Sequence, residues 1–181
     1  MVNDTTRLPG LDGLAVAEVI ARDEHPGQGP IVWLATIDER ARVCPGCGVR
    51  AARMKEWVTT RPRDLPVGGR RCELLWRKRR WICSTVVCPR GTFTEQVPQV
   101  PARARLTQRL RQASGMAVAD SGRTIVQSAR DHGVSWPVAS AAFTAYAGRV
   151  LSAEPQSVTV PGIDETRRGR PRWVYDESAR A

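Results

Sequence analysis

The sequence predicts an α+β fold, with a β-rich first half followed by three helices and an incomplete C-terminal segment. Three observations carry this. Short β-branched runs separated by Gly/Pro breaks extend to about residue 98. Apolar residues change to helical spacing after Pro101, and two close cysteine pairs sit inside the β-rich half.

The first run, Leu14-Ala-Val-Ala-Glu-Val-Ile-Ala-Arg22, reads as a strand; His25-Pro-Gly-Gln-Gly-Pro30 breaks it, and Ile31-Val-Trp-Leu-Ala-Thr-Ile37 reads as its hairpin partner. A third strand is expected over Lys55–Thr60 and a fourth over Arg71–Ile82, with Gly68-Gly69 turning between them. Val97-Pro-Gln-Val-Pro101 reads as a stiff linker. Beyond it Leu106, Leu110 and Ala113 recur at helical spacing, and three helices are expected at about 102–118, 122–132 and 136–148. Ser157-Val-Thr-Val-Pro-Gly-Ile-Asp164 could open a further strand, but the basic run Arg167-Arg-Gly-Arg-Pro-Arg172 and its neighbours cannot fold alone. The expected domains are therefore 8–98, 102–150 and the incomplete 157–181.

With 181 residues, 41% of them hydrophobic and only 6% aromatic, the chain has material for several small cores. Its formal net charge is +10, carried almost wholly by arginine, since Lys55 and Lys78 are the only lysines. Guanidinium forks suit phosphate oxygens and guanine edges, so the excess favours a nucleic-acid partner, with high-GC coding bias as the alternative source. No apolar run approaches the ~20 residues that span a bilayer, and the N-terminus has no secretory pattern. The expectation is a cytoplasmic, nucleoid-associated protein without a membrane partner.

Five cysteines, an odd number, argue against a disulfide framework. Cys44-Pro-Gly-Cys47-Gly has the spacing of a zinc knuckle, and Cys83 and Cys88 supply a second pair. The resulting C-x2-C…C-x4-C is a set of four soft ligands for a closed, structural Zn2+ site. Cys72, inside an expected strand and without a nearby partner, reads as packing.

Between the pairs lies Leu74-Leu-Trp-Arg-Lys-Arg-Arg-Trp-Ile82. Arg77, Lys78, Arg79 and Arg80 could follow a DNA backbone, while Trp76 and Trp81 fit a small core better than a binding face. Arg103, Arg105 and Arg109 surround the first expected helix and join the candidate phosphate contacts.

Thr124-Ile-Val-Gln-Ser-Ala-Arg-Asp-His-Gly-Val-Ser-Trp-Pro137 has what a helix-turn-helix requires. Ala129 is small where helices cross, Gly133 can end one helix in a left-handed turn, Ser135 can cap the next, and Pro137 fits its first turn. The second helix would offer Ser135, Trp136, Ser140 and Thr144 to the major groove, with an ordinary helical hairpin as the alternative. His132 reads as half-buried rather than a ligand.

Taken in order, CPGCG, RRWIC…CP, FTE, RLTQRL, ARDHGVSW, PGIDE and RRGRPRW resemble bacterial insertion-sequence transposases of the ISL-three type, over about Leu8 to Trp173. The resemblance implies zinc on Cys44, Cys47, Cys83 and Cys88, and binding of double-stranded DNA at the element's terminal inverted repeats by residues 123–147. It also makes 157–181 the start of a ribonuclease-H-like core, with Asp164 as its first metal-binding carboxylate. Such cores need three carboxylates on separate elements to place two divalent ions, and seventeen residues follow Asp164. Mg2+ is expected only with a complete core, and this chain is expected not to cut or join DNA by itself, Asp164 then being a loop carboxylate. The resulting expectation is the DNA-binding portion of a transposase, with a homodimer as one assembly. The alternatives are part of an active Asp-Asp-Glu enzyme completed by a longer product, or a zinc-dependent assembly module or regulator of transposition.

Overall fold

We describe a computed structural model of the chain over residues 10–22, 28–67 and 69–151. Most of the turn around His25, Gly68, and the segment carrying Asp164, Arg167–Arg172, Asp176 and Glu177 lie outside the described residues.

The four expected runs form β1 (Leu14–Ile20), β2 (Ile31–Thr36), β3 (Met54–Thr60) and β4 (Glu73–Ile82), and a short β5 (Thr92–Thr94) follows. Both expected hairpins form as antiparallel pairs, β1 with β2 and β3 with β4. The sequence does not announce how they join: β2 runs parallel to β4, Ile31 to Ala35 beside Glu73 to Arg77, giving the order β1-β2-β4-β3. β5 pairs antiparallel with the end of β4, Ile82 facing Thr92. β4 is thus hydrogen-bonded along both edges, and its ten residues set the geometry of everything else.

Alternation along β4 points Leu74 and Trp76 to one face and Leu75, Arg77, Arg79 and Trp81 to the other. The first face carries the larger core, Leu11, Leu14, Val32, Leu34, Leu74 and Trp76 packed with Val97 and Val100. The Trp76 indole N–H donates to Thr36 Oγ1 at 3.1 Å, so its one polar atom is satisfied inside. Val97 and Val100 are each 2% exposed, which makes the expected linker part of this core: its prolines stiffen the chain while its valines hold it down. Cys72 packs against the same cluster, as its isolation suggests.

Three helices follow: α1 (Gln108–Ala119), α2 (Ile125–His132) and α3 (Trp136–Val150). The first begins six residues later than the apolar spacing implies. Leu106 is taken up in a bridge with Arg63, and Thr107 caps the helix by accepting from the Leu110 amide at 3.2 Å. The Thr107 hydroxyl also donates to Asp64 Oδ1 at 2.6 Å, and Arg109 Nε donates to the same carboxylate at 2.8 Å. Asp64, whose side chain is 3% exposed, ties the β3–β4 connection to the start of the helices. Burial pulls its carboxyl up, but the hydrogen bonds from Arg109, Thr107 and the Leu65 amide outweigh it and hold the group below the ordinary carboxylate range.

α1 and α3 cross at Gly115, where a Cβ would come within 2.6 Å of the Ala142 carbonyl oxygen. Beside the crossing the Ser114 and Ser128 hydroxyls, both buried, share a hydrogen bond of 3.0 Å that joins α1 to α2.

Two outcomes are expected in urea unfolding. Gly115→Ala should destabilise by about 1–3 kcal/mol through overpacking, although alanine in an open helix would gain up to ~1 kcal/mol; a more stable variant would contradict the close crossing. Asp64→Asn should cost about 1–3 kcal/mol at neutral pH. Because the folded-state pKa of Asp64 is depressed, its contribution is complete above the ordinary carboxylate pKa and is lost as pH falls through the lowered one. The gap between parent and variant should therefore close in acid, and a gap independent of pH would refute the linkage.

Candidate metal centre and nucleic-acid interface

Each cysteine pair sits on a tight turn built by its neighbours. After a short 3-10 turn at Glu39–Arg42, a bridge between Val43 and Arg50 closes the first knuckle. The Cys44 amide donates to Val49 O at 2.9 Å, and the Gly46 amide points at Cys44 Sγ at 3.5 Å. The second knuckle is the loop of the β4–β5 hairpin, with the Cys83 amide on Gly91 O at 2.9 Å and the Cys88 amide on Thr85 O at 3.1 Å. The two turns meet so that all four sulfurs lie within 4.8 Å of one another.

Their spacing can be compared with a tetrahedral zinc thiolate site, in which Zn–S bonds of about 2.3 Å make the S···S edge about 3.8 Å. Cys44 and Cys88 Sγ are 3.8 Å apart, and Cys47 and Cys83 Sγ 3.5 Å. Cys44 and Cys88 are buried and Cys47 is exposed. A hydrogen bond with the Thr85 hydroxyl, the Val49 backbone and the neighbouring thiols bring Cys47 down to about 6. The Arg90 amide favours the Cys88 thiolate, but burial and the other three thiols push it up to about 11. Four thiolates this close repel one another unless a cation lies between them, so the donor set fits a structural Zn2+ with no open position.

Under the knuckles lies the smaller core, Cys44, Ala51, Trp81, Cys88 and Phe93. Trp81 is held between the Arg42 and Arg79 guanidinium groups, 4.8 and 5.0 Å from its ring centre. Its indole N–H donates to Glu95 Oε1 at 3.2 Å. Glu95 is 1% exposed and also pairs with the Arg79 side chain and amide, which accounts for a buried carboxylate that the sequence does not single out.

The turn between α2 and α3 has the expected form. Gly133 is left-handed at φ 60, ψ 36, and its amide closes on the carbonyls of Ala129 and Arg130. Ser135 occupies the N-cap position of α3 with Pro137 in its first turn, although the Ser135 hydroxyl makes no cap hydrogen bond. Ser135, Trp136 and Thr144 are exposed and Ser140 is half-buried. His132 is half-buried, its Nδ1 3.0 Å from Ser128 O, as its position in the helix implies.

Residues 40–88 match the family described as the zinc-finger of transposase IS204/IS1001/IS1096/IS1165, and residues 95–147 match the helix-turn-helix domain of transposase family ISL3. The chain belongs to the ISL3 transposase family. Comparison with curated proteins and with solved structures finds no match. The ISL3 zinc-finger match encloses all four clustered cysteines, and the helix-turn-helix match encloses the Gly133 turn. The β1–β2 hairpin precedes both, yet its pairing with β4 makes it part of the same sheet.

The structure separates the sequence-singled basic residues into tied and untied groups. Arg79 is committed to Glu95 and Arg109 to Asp64. Arg80 pairs with Glu56 at 3.1 Å and lies partly open. Lys78 lies over the Trp76 ring at 4.4 Å, and burial lowers its pKa despite the nearby Glu95 charge. Arg77 is exposed and stacks on Trp57 at 4.5 Å. Arg103 and Arg105 are exposed and form no ion pair among the described residues, and Arg103 has φ 63, the only positive value among described non-glycine residues. Sequence reasoning misses Arg63 and Arg71. Arg63 donates to the Gly133 carbonyl, and a Cβ at 133 would overlap the Arg71 guanidinium. Both reach the turn from the β3–β4 connection, a long-range contact with no local signal. Among the described residues no helix is long and apolar enough to cross a membrane.

Native mass spectrometry should find one zinc per chain. Cys47→Ser should abolish tight binding, while Cys72→Ser should keep it; a folded, metal-free parent would overturn the assignment.

Proposed function

We propose that this chain holds double-stranded DNA at the terminal inverted repeats of its transposon, with α3 in the major groove. The observation that carries the reading is the left-handed Gly133 turn, which sets α2 against an α3 whose Trp136 and Thr144 stay exposed among the described residues, within the matched helix-turn-helix. Ser135, Trp136, Ser140 and Thr144 face the bases, a weakly charged set that reads by hydroxyl and apolar contacts. This supplies modest discrimination, so much of the affinity falls to phosphate contacts.

For those contacts the cations that keep open surface matter, Arg80 among them despite its ion pair with Glu56. Lys78, Arg80, Arg90 and Arg103 line one concavity of about 550 Å³ beside the metal centre, with Glu95 at its base. Arg105 follows on the same segment. Arg79 and Arg109 support the fold from their ion pairs, so they position rather than touch the backbone. The zinc module over 8–98 and the helical module over 102–150 act together in this reading, because Asp64 and Arg63 of the first grip the start of α1 and the turn of the second. Two ends per element suit a homodimer, one copy to each end, on the nucleoid. Asp164, the core carboxylate of the family resemblance, takes no part in this binding reading.

Fluorescence anisotropy with element-end duplex against scrambled duplex tests the reading at two salt concentrations. Affinity should fall steeply with salt, and Arg103→Gln with Arg105→Gln should lower the log–log slope by about 2, near one per lost phosphate contact. Trp136→Ala should remove the preference for end DNA. Absence of binding at low salt would reject the proposal.

A further inference from the structure

The larger core covers only one face of the sheet. On the other face Trp33 of β2, Leu75 and Arg77 of β4, and Trp57 and Thr59 of β3 stand side by side, as the pairings Trp33 with Leu75, Thr59 with Arg77 and Trp57 with Arg79 require. They bound a shallow trough of about 490 Å³, rimmed on β1 by Ala17 and Glu18. Trp57 is 48% exposed and Trp33 half-buried, so two indoles line a concavity that the described fold leaves open. Trp33 is in register with Leu75 and Trp57 with Arg79, four residues apart on β4, so the two indoles are offset by about 13 Å along the strands and offer separate rings to two bases.

The charge of the trough narrows the occupant. Unlike Arg79 and Arg80, Arg77 has no carboxylate partner among the described residues, and its guanidinium lies over the Trp57 ring. Lys55, on the same strand as Trp57, is exposed and also unpaired there. One exposed and one half-buried indole beside cations without a carboxylate partner are what a base-stacking platform with a phosphate contact needs, and stacking tolerates any base because each has a π-face. Glu18 on the rim is an acceptor for base amino groups. A purely apolar partner would leave Arg77 buried without a counter-charge, which is unfavourable.

We infer that this open sheet face binds unpaired DNA, stacking nucleobases on Trp57 and Trp33 while Arg77 meets the backbone phosphate. The inference goes beyond the duplex reading, because it assigns a second DNA surface, on another element, to a different form of the polymer.

The test uses the full zinc-loaded chain, with fluorescein-labelled oligothymidine and a duplex of equal length. Trp57→Ala should weaken oligothymidine binding at least fivefold, the lower end for one lost stack of ~1–3 kcal/mol, and leave duplex affinity within twofold. Trp57→Phe, which keeps a ring, should recover part of the loss. In the parent, oligothymidine should quench tryptophan emission, and the quench should shrink in Trp57→Phe, a readout that stands even where Trp57→Ala fails to fold. Unchanged oligothymidine affinity and quench would overturn the inference. So would equal loss of duplex and single-strand binding, or a parent dimer in sedimentation that Trp57→Phe dissociates, which would assign the face to a second copy. Trp136→Ala separates the two readings: duplex preference lost with oligothymidine binding intact supports both. A chain that binds oligothymidine but no duplex defeats only the duplex reading.

Discussion

Four thiols drawn within 4.8 Å of one another constrain the rest of this structure. The core beneath them has only five buried residues, two of them ligands, and a cluster that small does not hold two knuckles and a hairpin loop by apolar burial alone. The metal would supply what the core lacks. It would also pin the end of β4 to the knuckle before β3, which fixes the register of the strand that contributes to both cores and carries the basic run Arg77–Arg80.

From β4 the consequences spread by alternation. Trp76 goes into the larger core on one face and Trp81 into the metal-side core on the other, so one strand serves two centres. Arg77 and Arg79 share the Trp81 face, but Arg79 is tied to the buried Glu95 whereas Arg77 stacks on the exposed Trp57. The helices are oriented from the opposite end. Asp64 holds Thr107 and Arg109, and Arg63 and Arg71 hold the Gly133 turn, so the connection between β3 and β4 reaches the element that the ISL3 match makes a helix-turn-helix. Zinc module and helices are thus coupled through a loop whose own residues carry no recognisable motif.

What the sequence reveals is what short-range chemistry dictates. C-x2-C with C-x4-C is legible because a metal selects ligand spacing, and Gly133 followed by Ser135 and Pro137 is legible because each fits one position of a turn and a helix start. Strands β1 to β3 stand out through apolar and β-branched runs between breakers, and β4 through its Leu and Trp residues around a basic run. The start of α1 is misread because Leu106 continues the apolar spacing of the helix, yet it is spent on a bridge to Arg63, and Thr107 provides the true cap. The parallel pairing of β2 with β4, the Glu95 pocket and the Asp64 junction escape because each joins distant segments without a local pattern. Gly115 escapes for a related reason: within a helix it reads as a weakness, and only the Ala142 carbonyl opposite explains it.

The central claim is that these four sulfurs form one closed zinc site. X-ray absorption spectroscopy of the zinc-loaded chain tests it most directly. A first shell of four sulfurs at about 2.3 Å, with no light scatterer, is the predicted result. A shell containing nitrogen or oxygen, or one with only two or three sulfurs, would contradict the account.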